Sequence, residues 1–162
     1  MLKLIKGKQQ WNPNANIDMS KEINLAAQMV RKDILEGITV RKSDIKGRKF
    51  TKLKPSTVRR KLKTGSPMPD TPLYHTGQMS NLSPISGENK ATPSRQFASV
   101  KVARKRKYKK SNVTSLEVGQ FHMAGAGSLP KRQWFGIRKK MNKKIRKMLQ
   151  LRLIDKIKSK RK

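Results

Sequence analysis

The sequence predicts an α+β fold, in which a small, mostly antiparallel sheet is packed by an N-terminal helix and a long C-terminal helix. Near each end of the chain, apolar residues return every three or four positions, which is the period of an amphipathic helix. Between these regions, two short segments alternate apolar and polar residues, as half-buried strands do. Extended basic loops and an N-terminal arm complete the predicted fold.

The N-terminal region predicts an arm followed by the first helix. Residues 1–17 show no sustained period, and we interpret them as an arm that becomes ordered on assembly. The helix is expected to begin at Asp18 or Ser20, which are capping residue types, and to stop at Gly37. Its apolar face consists of Ile23, Ala26, Ala27, Val30 and Ile34.

A basic stretch and a short second helix follow. Arg41–Lys54 has no period that would bury it in its own domain, so we expect it to become ordered on assembly as well. Pro55 is suited to the first turn of a helix that reaches about Lys63. The next segment, 64–72, holds one glycine and three prolines and is predicted to be a loop.

The sheet is expected around residues 80–118. Its best strand candidates are Phe97–Ala103 and Val113–Val118, and Arg104–Lys110 would form the tip of the hairpin between them. Small residues at 124–128 indicate a loop. From Gly136 onward, apolar residues recur every four positions and predict the long terminal helix. These residues are Ile137, Met141, Ile145, Leu149, Leu153 and Ile157.

Length and composition indicate a single domain without cofactors. The chain has 162 residues, of which 34% are hydrophobic, so we place one domain with a modest core at 18–157 and a basic tail at 158–162. The absence of cysteine excludes disulfides and thiolate metal sites, and two distant histidines without an acidic cluster predict no metal. No apolar run is long enough for a signal peptide or a membrane span, so we expect cytoplasmic synthesis and no membrane partner.

The charge of the chain is extreme. Lysine and arginine number 41 against nine aspartates and glutamates, which gives a formal net charge of +32. More than half of the basic residues, but only two of the acids, follow residue 100. A free domain with this balance repels itself and binds polyanions, so we expect an acidic partner in the working state.

Three segments in fixed order resemble those of one protein family. The first is Lys54–Lys61, with the sequence Lys-Pro-Ser-Thr-Val-Arg-Arg-Lys, and the second is Pro72–Gln78, with Pro-Leu-Tyr-His-Thr-Gly-Gln. The third, Phe121–Phe135, carries His122, Gly125, Gly127, Leu129, Pro130, Arg132 and Trp134. In type, order and spacing they resemble the phage virion morphogenesis family, the neck or tail-completion proteins of tailed bacteriophages that include the Mu-type morphogenesis protein. The resemblance extends over roughly Ile23 to Ile157, most of the chain.

The resemblance implies a structural protein of the virion rather than an enzyme. Such a protein, assembled in the host cytoplasm, would form a hexameric or dodecameric ring in the phage neck that completes the tail or joins head and tail. Its partners would be further copies of the chain, neighbouring neck, portal-adaptor or tail proteins, and packaged double-stranded DNA. Contact with the DNA would be to the backbone and free of sequence preference, because the genome must slide through the ring.

Two sets of candidate site residues follow. The first is the basic tip, a candidate for nucleic-acid contact because its cations neutralise phosphates and its tyrosine stacks on a base. An acidic neighbouring protein is the alternative partner of this tip, which consists of Arg104, Lys105, Arg106, Lys107, Tyr108, Lys109 and Lys110. The second set is expected to serve assembly and packing, and its members are Pro72, Leu73, Thr76, Gly77, His122, Pro130, Trp134 and Phe135. We expect no catalytic residue, since His122 has no evident nucleophile or carboxylate partner.

Other readings of the chain stay open. The terminal helix suits packing, because no aromatic residue follows Phe135, although basic amphipathic helices also bind nucleic acids and membrane surfaces. For the whole chain, the alternative is a ribosomal-type or other RNA-binding protein, in which a pI near 11.3 and lysine-rich loops are common. A nuclease is disfavoured, because the nine scattered acids form no evident metal-binding cluster.

Overall fold

The computed structural model describes residues 17–75, 77, 80–102 and 113–159. Over these residues the chain is mainly helical and contains no β-sheet, so the predicted α+β class is wrong for the described part of the chain. The four α-helices are α1 (Ser20–Thr39), α2 (Pro55–Lys63), α3 (Ser115–Ala124) and α4 (Lys139–Ser159), with one 3₁₀ turn at Gly87–Asn89.

The predicted strand Val113–Val118 is replaced by the start of α3. Thr114 caps this helix, since its Oγ1 accepts a hydrogen bond from the backbone N–H of Glu117 at 3.3 Å. In return, the Glu117 carboxylate accepts from the backbone N–H of Thr114 at 2.6 Å. This reciprocal arrangement is a capping box, which satisfies N–H groups that have no partner inside the helix. The capping box therefore decides the local structure, and this segment begins a helix although its pattern of apolar and polar residues predicts a strand.

The predicted strand Phe97–Ala103 has no partner strand in the part of it that the structure describes. Up to residue 102 it makes isolated backbone contacts only, such as the hydrogen bond from Ser83 N–H to Lys101 O at 2.8 Å. Leu82 and Val102 form a single antiparallel bridge. Because the second candidate strand is helical, a ladder between the two cannot form. Ala103 and the tip that follows it lie outside the described residues.

The first helix is confirmed, but it ends later than predicted. It passes through Gly37, which is buried, and finishes at Thr39. Lys42 then takes a left-handed backbone conformation with φ of 48°, and the N–H of Ser43 donates to the carbonyl of Gly37 at 3.0 Å. The chain therefore reverses at Lys42 and not at Gly37.

The core lies against the inner face of α1. Val30, Ile34 and Ile38 of α1 pack in one cluster with side chains from several loops, and Ile38 is 0% exposed. The loop residues of this cluster are Phe50, Leu73, Leu82, Val102 and Trp134. Phe50 belongs to the stretch that was expected to become ordered only on assembly, so this stretch contributes to the core of its own domain.

Helix α4 lies antiparallel to α1 and is tied to it near both ends. Arg138, just before α4, pairs with Asp33, while Lys156 near its other end pairs with Glu22 at 2.8 Å. The helix was predicted to be long and amphipathic, and this is confirmed, yet none of its residues is fully buried. It therefore packs against α1 on one side and leaves its other side exposed. Helix α2 begins and ends at the predicted residues, Pro55 and Lys63.

Candidate functional site

The predicted basic tip, Arg104–Lys110, lies outside the described residues, and so does Thr76. The contact of the basic tip with nucleic acid therefore stays a prediction from the sequence. The other predicted site residues are described, and they lie in or next to the three segments of the sequence resemblance. Where these segments meet defines the first part of the candidate site, which we call the segment junction.

The first segment holds the loop before the second segment through one buried lysine. Lys61, in the last turn of α2, donates from Nζ to the carbonyls of Thr71 at 2.7 Å and Met68 at 3.3 Å. Burial lowers the pKa of Lys61, while the nearby charge of Asp70 acts in the opposite direction. Asp70 itself pairs with Lys42 at 2.6 Å. The ammonium group thus replaces water as the partner of loop carbonyls.

The second segment continues from this loop into the core. Pro72 and Leu73 are both buried, and Leu73 has a φ of 64°, an uncommon conformation for a residue with a side chain. His75 lies at the end of α2, where its Nε2 is 2.7 Å from Thr64 Oγ1. Gly77 also has a positive φ, of 77°. The strained backbone at Leu73 directs an apolar side chain into the core, which fits the predicted packing role.

The third segment joins the residues that lead into α2. Arg132 is only 4% exposed, and it donates from Nη1 to His122 Nδ1 at 3.2 Å and from Nη2 to the carbonyl of Thr51 at 3.3 Å. The N–H of Ile45 donates to the carbonyl of Gln133 at 2.9 Å. These bonds connect the third segment to the chain just before the first one.

Trp134 is the aromatic centre of the junction. It is 3% exposed, and its Nε1–H donates to the carbonyl of Gly119 in α3 at 3.2 Å. Phe135 is half-buried and meets the indole edge to face, with ring centroids 5.4 Å apart. Trp134 thus joins α3 to the core beside α1. Pro130, also predicted to serve packing, is half-buried.

His122 is neutral in this environment. Burial, together with the positive charge of Arg132, lowers the pKa of His122 to about 4. A guanidinium group only donates hydrogen bonds, so Nδ1 of His122 must be the acceptor and the ring proton is on Nε2. Burial also lowers the pKa of Arg132, which has no carboxylate partner among the described residues. The pair therefore forms a polar link between α3 and the segment that follows it, and the assembly role of His122 stays a prediction.

A second polar cluster, missed in the sequence analysis, lies where α1 meets the start of α4. Asp33 is buried and binds two guanidinium groups, those of Arg41 at 3.0 Å and Arg138. The hydrogen bond with Asp33 raises the pKa of Arg138. A small polar cavity opens beside this cluster, lined also by Asp44 and Trp134. The signal in the sequence was an acid placed between Val30 and Ile34, on the apolar face of the predicted helix.

The acids of the chain are mostly occupied by its own cations. Five of the nine, all described, form ion pairs within the chain. They are Glu22, Asp33, Glu36, Asp44 and Asp70. A sixth, Glu117, caps α3. The large cationic excess consequently has few internal counter-charges, and most described lysines lie exposed at the surface.

Comparisons with known proteins neither support nor oppose the family that the three segments predict. No protein-family model, curated protein or solved structure matches this chain. Among the described helices, none combines the length and the apolar character needed to cross a membrane. The membership in the phage morphogenesis family is therefore a prediction, and it enters the functional argument as such.

Proposed function

We propose that this chain is a structural protein of a tailed-phage virion, which forms an oligomeric ring in the neck and completes the tail or joins head and tail. The observation that carries the proposal is the set of three ordered segments in the sequence. The segment junction supports it, because Lys61 and His75 bond across the short loop between the first two segments. Arg132 of the third segment bonds to Thr51, which lies 81 positions away and just before the first segment. A loop surface would not require the particular residue types found at the segment junction, whereas a packing role does.

The cationic excess supports the second half of the proposal, a polyanionic partner. A net charge of +32 with most acids already paired leaves the surface free to neutralise phosphates or carboxylates of a neighbour. In the proposed ring of six or twelve copies, assembled in the host cytoplasm, Arg104–Lys110 would face the packaged genome or an acidic adjacent ring. Phosphate contacts of this kind carry no sequence preference.

Two measurements test the proposal. Electron microscopy and native mass spectrometry of the purified protein should show closed rings of six or twelve copies. A protein that is monomeric at all concentrations, both alone and with duplex DNA, would contradict the ring. In the second measurement, duplex DNA should bind with similar affinity whatever its sequence, and the affinity should fall steeply with salt.

A pair of charge-matched variants locates the DNA contact. The tip variant replaces the six cations of Arg104–Lys110 with serine, and we expect it to flatten the salt dependence. The control removes six exposed cations scattered over the described surface, and should change the slope less: Lys21, Lys32, Lys46, Lys52, Lys63 and Lys90. Equal slopes for the two variants would show that net charge alone governs binding. Tighter binding to structured or single-stranded RNA than to duplex DNA would favour the RNA-binding alternative.

A further inference from the structure

The side of α4 that faces away from α1 carries a straight stripe of exposed residues. Its members follow one another at intervals of four, three, four, three and four positions, and all are exposed: Lys140, Lys144, Lys147, Leu151, Ile154 and Lys158. Lys143 lies beside the first three. We call this set, with Lys143, the outer stripe of α4. Alternating steps of three and four keep residues on one face of a helix, and this spacing is used when a second helix packs along the first.

The outer stripe differs from the inner stripe that packs on α1. Residues of the inner stripe, such as Met141, Ile145 and Leu149, are half-buried and repeat every four positions, so the inner stripe drifts around the helix. The outer stripe does not drift. It has no partner among the described elements, because the helix contact that α4 makes is with α1.

The chemistry of the outer stripe changes along its length. The first part holds four lysines within a rise of about 10 Å, at 1.5 Å per residue. The second part exposes two aliphatic side chains, Leu151 at 54% and Ile154 at 47%. A partner that covers the whole stripe must therefore supply negative charge opposite the four lysines, apolar surface opposite Leu151 and Ile154, and negative charge again opposite Lys158.

Lysines followed by exposed aliphatic side chains favour one kind of binding partner for the outer stripe. A second copy of the chain in parallel orientation would bring lysines against lysines, and like charges in contact are unfavourable. In antiparallel orientation it would place lysines over Leu151 and Ile154, which leaves their charge without a counter-ion. Duplex DNA would satisfy the lysines but would leave Leu151 and Ile154 exposed to water. A membrane surface requires apolar residues along the whole face of a helix, whereas this face has only two.

We propose that the outer stripe of α4 binds an acidic amphipathic helix of a neighbouring protein. Carboxylates of that helix would lie over the four lysines, and apolar side chains would cover Leu151 and Ile154. The proposal rests on the proposed function in one respect, namely that an adjoining ring of the neck supplies the neighbouring protein. The DNA contact proposed for Arg104–Lys110 rests on the sequence alone and does not depend on it.

The experiment uses the full chain and two synthetic peptides of the same length as α4. The first peptide is an amphipathic helix with glutamates opposite the lysines and leucines opposite Leu151 and Ile154. The second has the same charge, with its leucines replaced by glutamine. We expect the first peptide to bind at least about tenfold more tightly than the second, because only the first buries the aliphatic side chains. Fluorescence anisotropy of labelled peptides at fixed ionic strength measures both affinities.

Variants of the protein assign this binding to the stripe. L151Q with I154Q should weaken the first peptide about tenfold and leave duplex DNA binding unchanged. Replacement of Lys140, Lys143, Lys144 and Lys147 with glutamine should weaken both peptides. The matched control, which neutralises Lys21, Lys32, Lys46 and Lys63 elsewhere on the surface, should weaken the first peptide less than the stripe variant does. Circular dichroism checks that every variant keeps its helix content.

Two kinds of result would overturn the proposal. Equal binding of the two peptides, or full binding of the first peptide to L151Q with I154Q, would show that the stripe is a general polyanion surface. Loss of duplex DNA binding in the lysine variant, together with no peptide binding, would assign the stripe to DNA. In these cases rings and tip-dependent DNA binding by the unmodified protein would leave the proposed function intact. Absence of rings and of DNA binding, with the peptide still bound through both parts of the stripe, would instead contradict the proposed function alone.

Discussion

Helices α1 and α4 are almost equal in length, with 20 and 21 residues, but they are buried to very different degrees. Eight residues of α1 are buried, whereas none of α4 is. The difference follows from their neighbours: α1 is covered by loops from three parts of the chain and by α4, while α4 contacts α1 alone among the helices described. Amphipathic sequence thus produces a central helix in one place and a surface helix in the other.

The comparison indicates that most of the contacts that stabilise this fold lie around α1. The residues that hold the segment junction, among them Trp134 and Leu73, pack into the same cluster as Val30 and Ile38. Cations are concentrated on α4, which carries nine lysines and arginines and a single acid, Asp155. Substitutions near α1 should therefore change stability, and substitutions on the outside of α4 should change binding.

Trp134→Ala should give the largest loss of stability. Truncation of a buried aromatic side chain costs about 3 to 5 kcal/mol, and here it also removes the hydrogen bond to Gly119. Urea unfolding followed by circular dichroism measures the change. Phe135→Ala, at a half-buried position, is the control and should cost less. A fully stable Trp134→Ala protein that still assembles would show that the α1 core does not depend on the junction.

Asp33→Asn should destabilise the protein by about 3 kcal/mol, since Arg138 loses the carboxylate that neutralises it and Arg41 keeps only Glu36. The matched control is Glu36→Gln, because Glu36 is more exposed and its ion pairs lie nearer the solvent. Thermal unfolding of both variants at low and high salt provides the measurement. Equal, small losses for the two would mean that the Asp33 cluster contributes little to holding α1 and α4 together.

Acidification should reduce stability between about pH 6.5 and pH 4 through His122. The folded-state pKa of His122 is lowered to about 4, so in this range the unfolded chain binds a proton that the folded chain does not. Stability is therefore fully present above pH 6.5 and falls as the pH approaches 4, by roughly 1 to 2 kcal/mol after allowance for partial exposure.

Urea midpoints at several pH values should show this slope in the wild type and lose it in His122→Gln. Below about pH 4 a different group acts, because the hydrogen bond from Lys42 lowers the pKa of Asp70 and that contribution disappears as Asp70 is protonated. If stability depends on pH in the same way in His122→Gln, His122 is not the group responsible for the loss of stability.

Ile38→Val should give the smallest of the measurable losses, about 1 kcal/mol, because one buried methylene group is removed. The same substitution at Ile154 on the outer stripe of α4 should change stability by less than about 0.5 kcal/mol. Paired chemical denaturation experiments compare the two directly. Equal losses would abolish the distinction between a buried and a surface helix.

The sequence was sufficient for the helices whose periodic pattern is long. The apolar positions of α1 and α4 and the position of Pro55 in α2 predict these elements, and the structure agrees with them. The prediction of a sheet was wrong for a local reason. The segment from Val113 to Val118 alternates only from Ser115 onward, and it contains Thr114 followed three positions later by Glu117, which is a capping box. Once this segment is helical, Phe97–Ala103 loses the partner that a strand requires.

The candidate site was predictable to a similar extent. Trp134 and Leu73 were expected to pack, and both are buried. The roles of Lys61 and Arg132 were not predicted, because a charged residue in a basic sequence gives no local sign that it will be buried. Their positions follow from which loop carbonyls remain without partners after the helices have packed, and this is a property of the tertiary structure.

The way in which the chain uses its acids has a consequence for the mutations it can tolerate. Removing Asp33 or Asp44 both raises the net charge and breaks an internal contact, whereas neutralising an exposed lysine of α4 changes stability little. Random substitution would therefore reduce the charge of this protein far more easily than it would increase it. Only a few of the 41 basic residues, such as Lys61, Arg132 and Arg138, hold the described fold together, so under the proposed function the remaining excess would serve the partners.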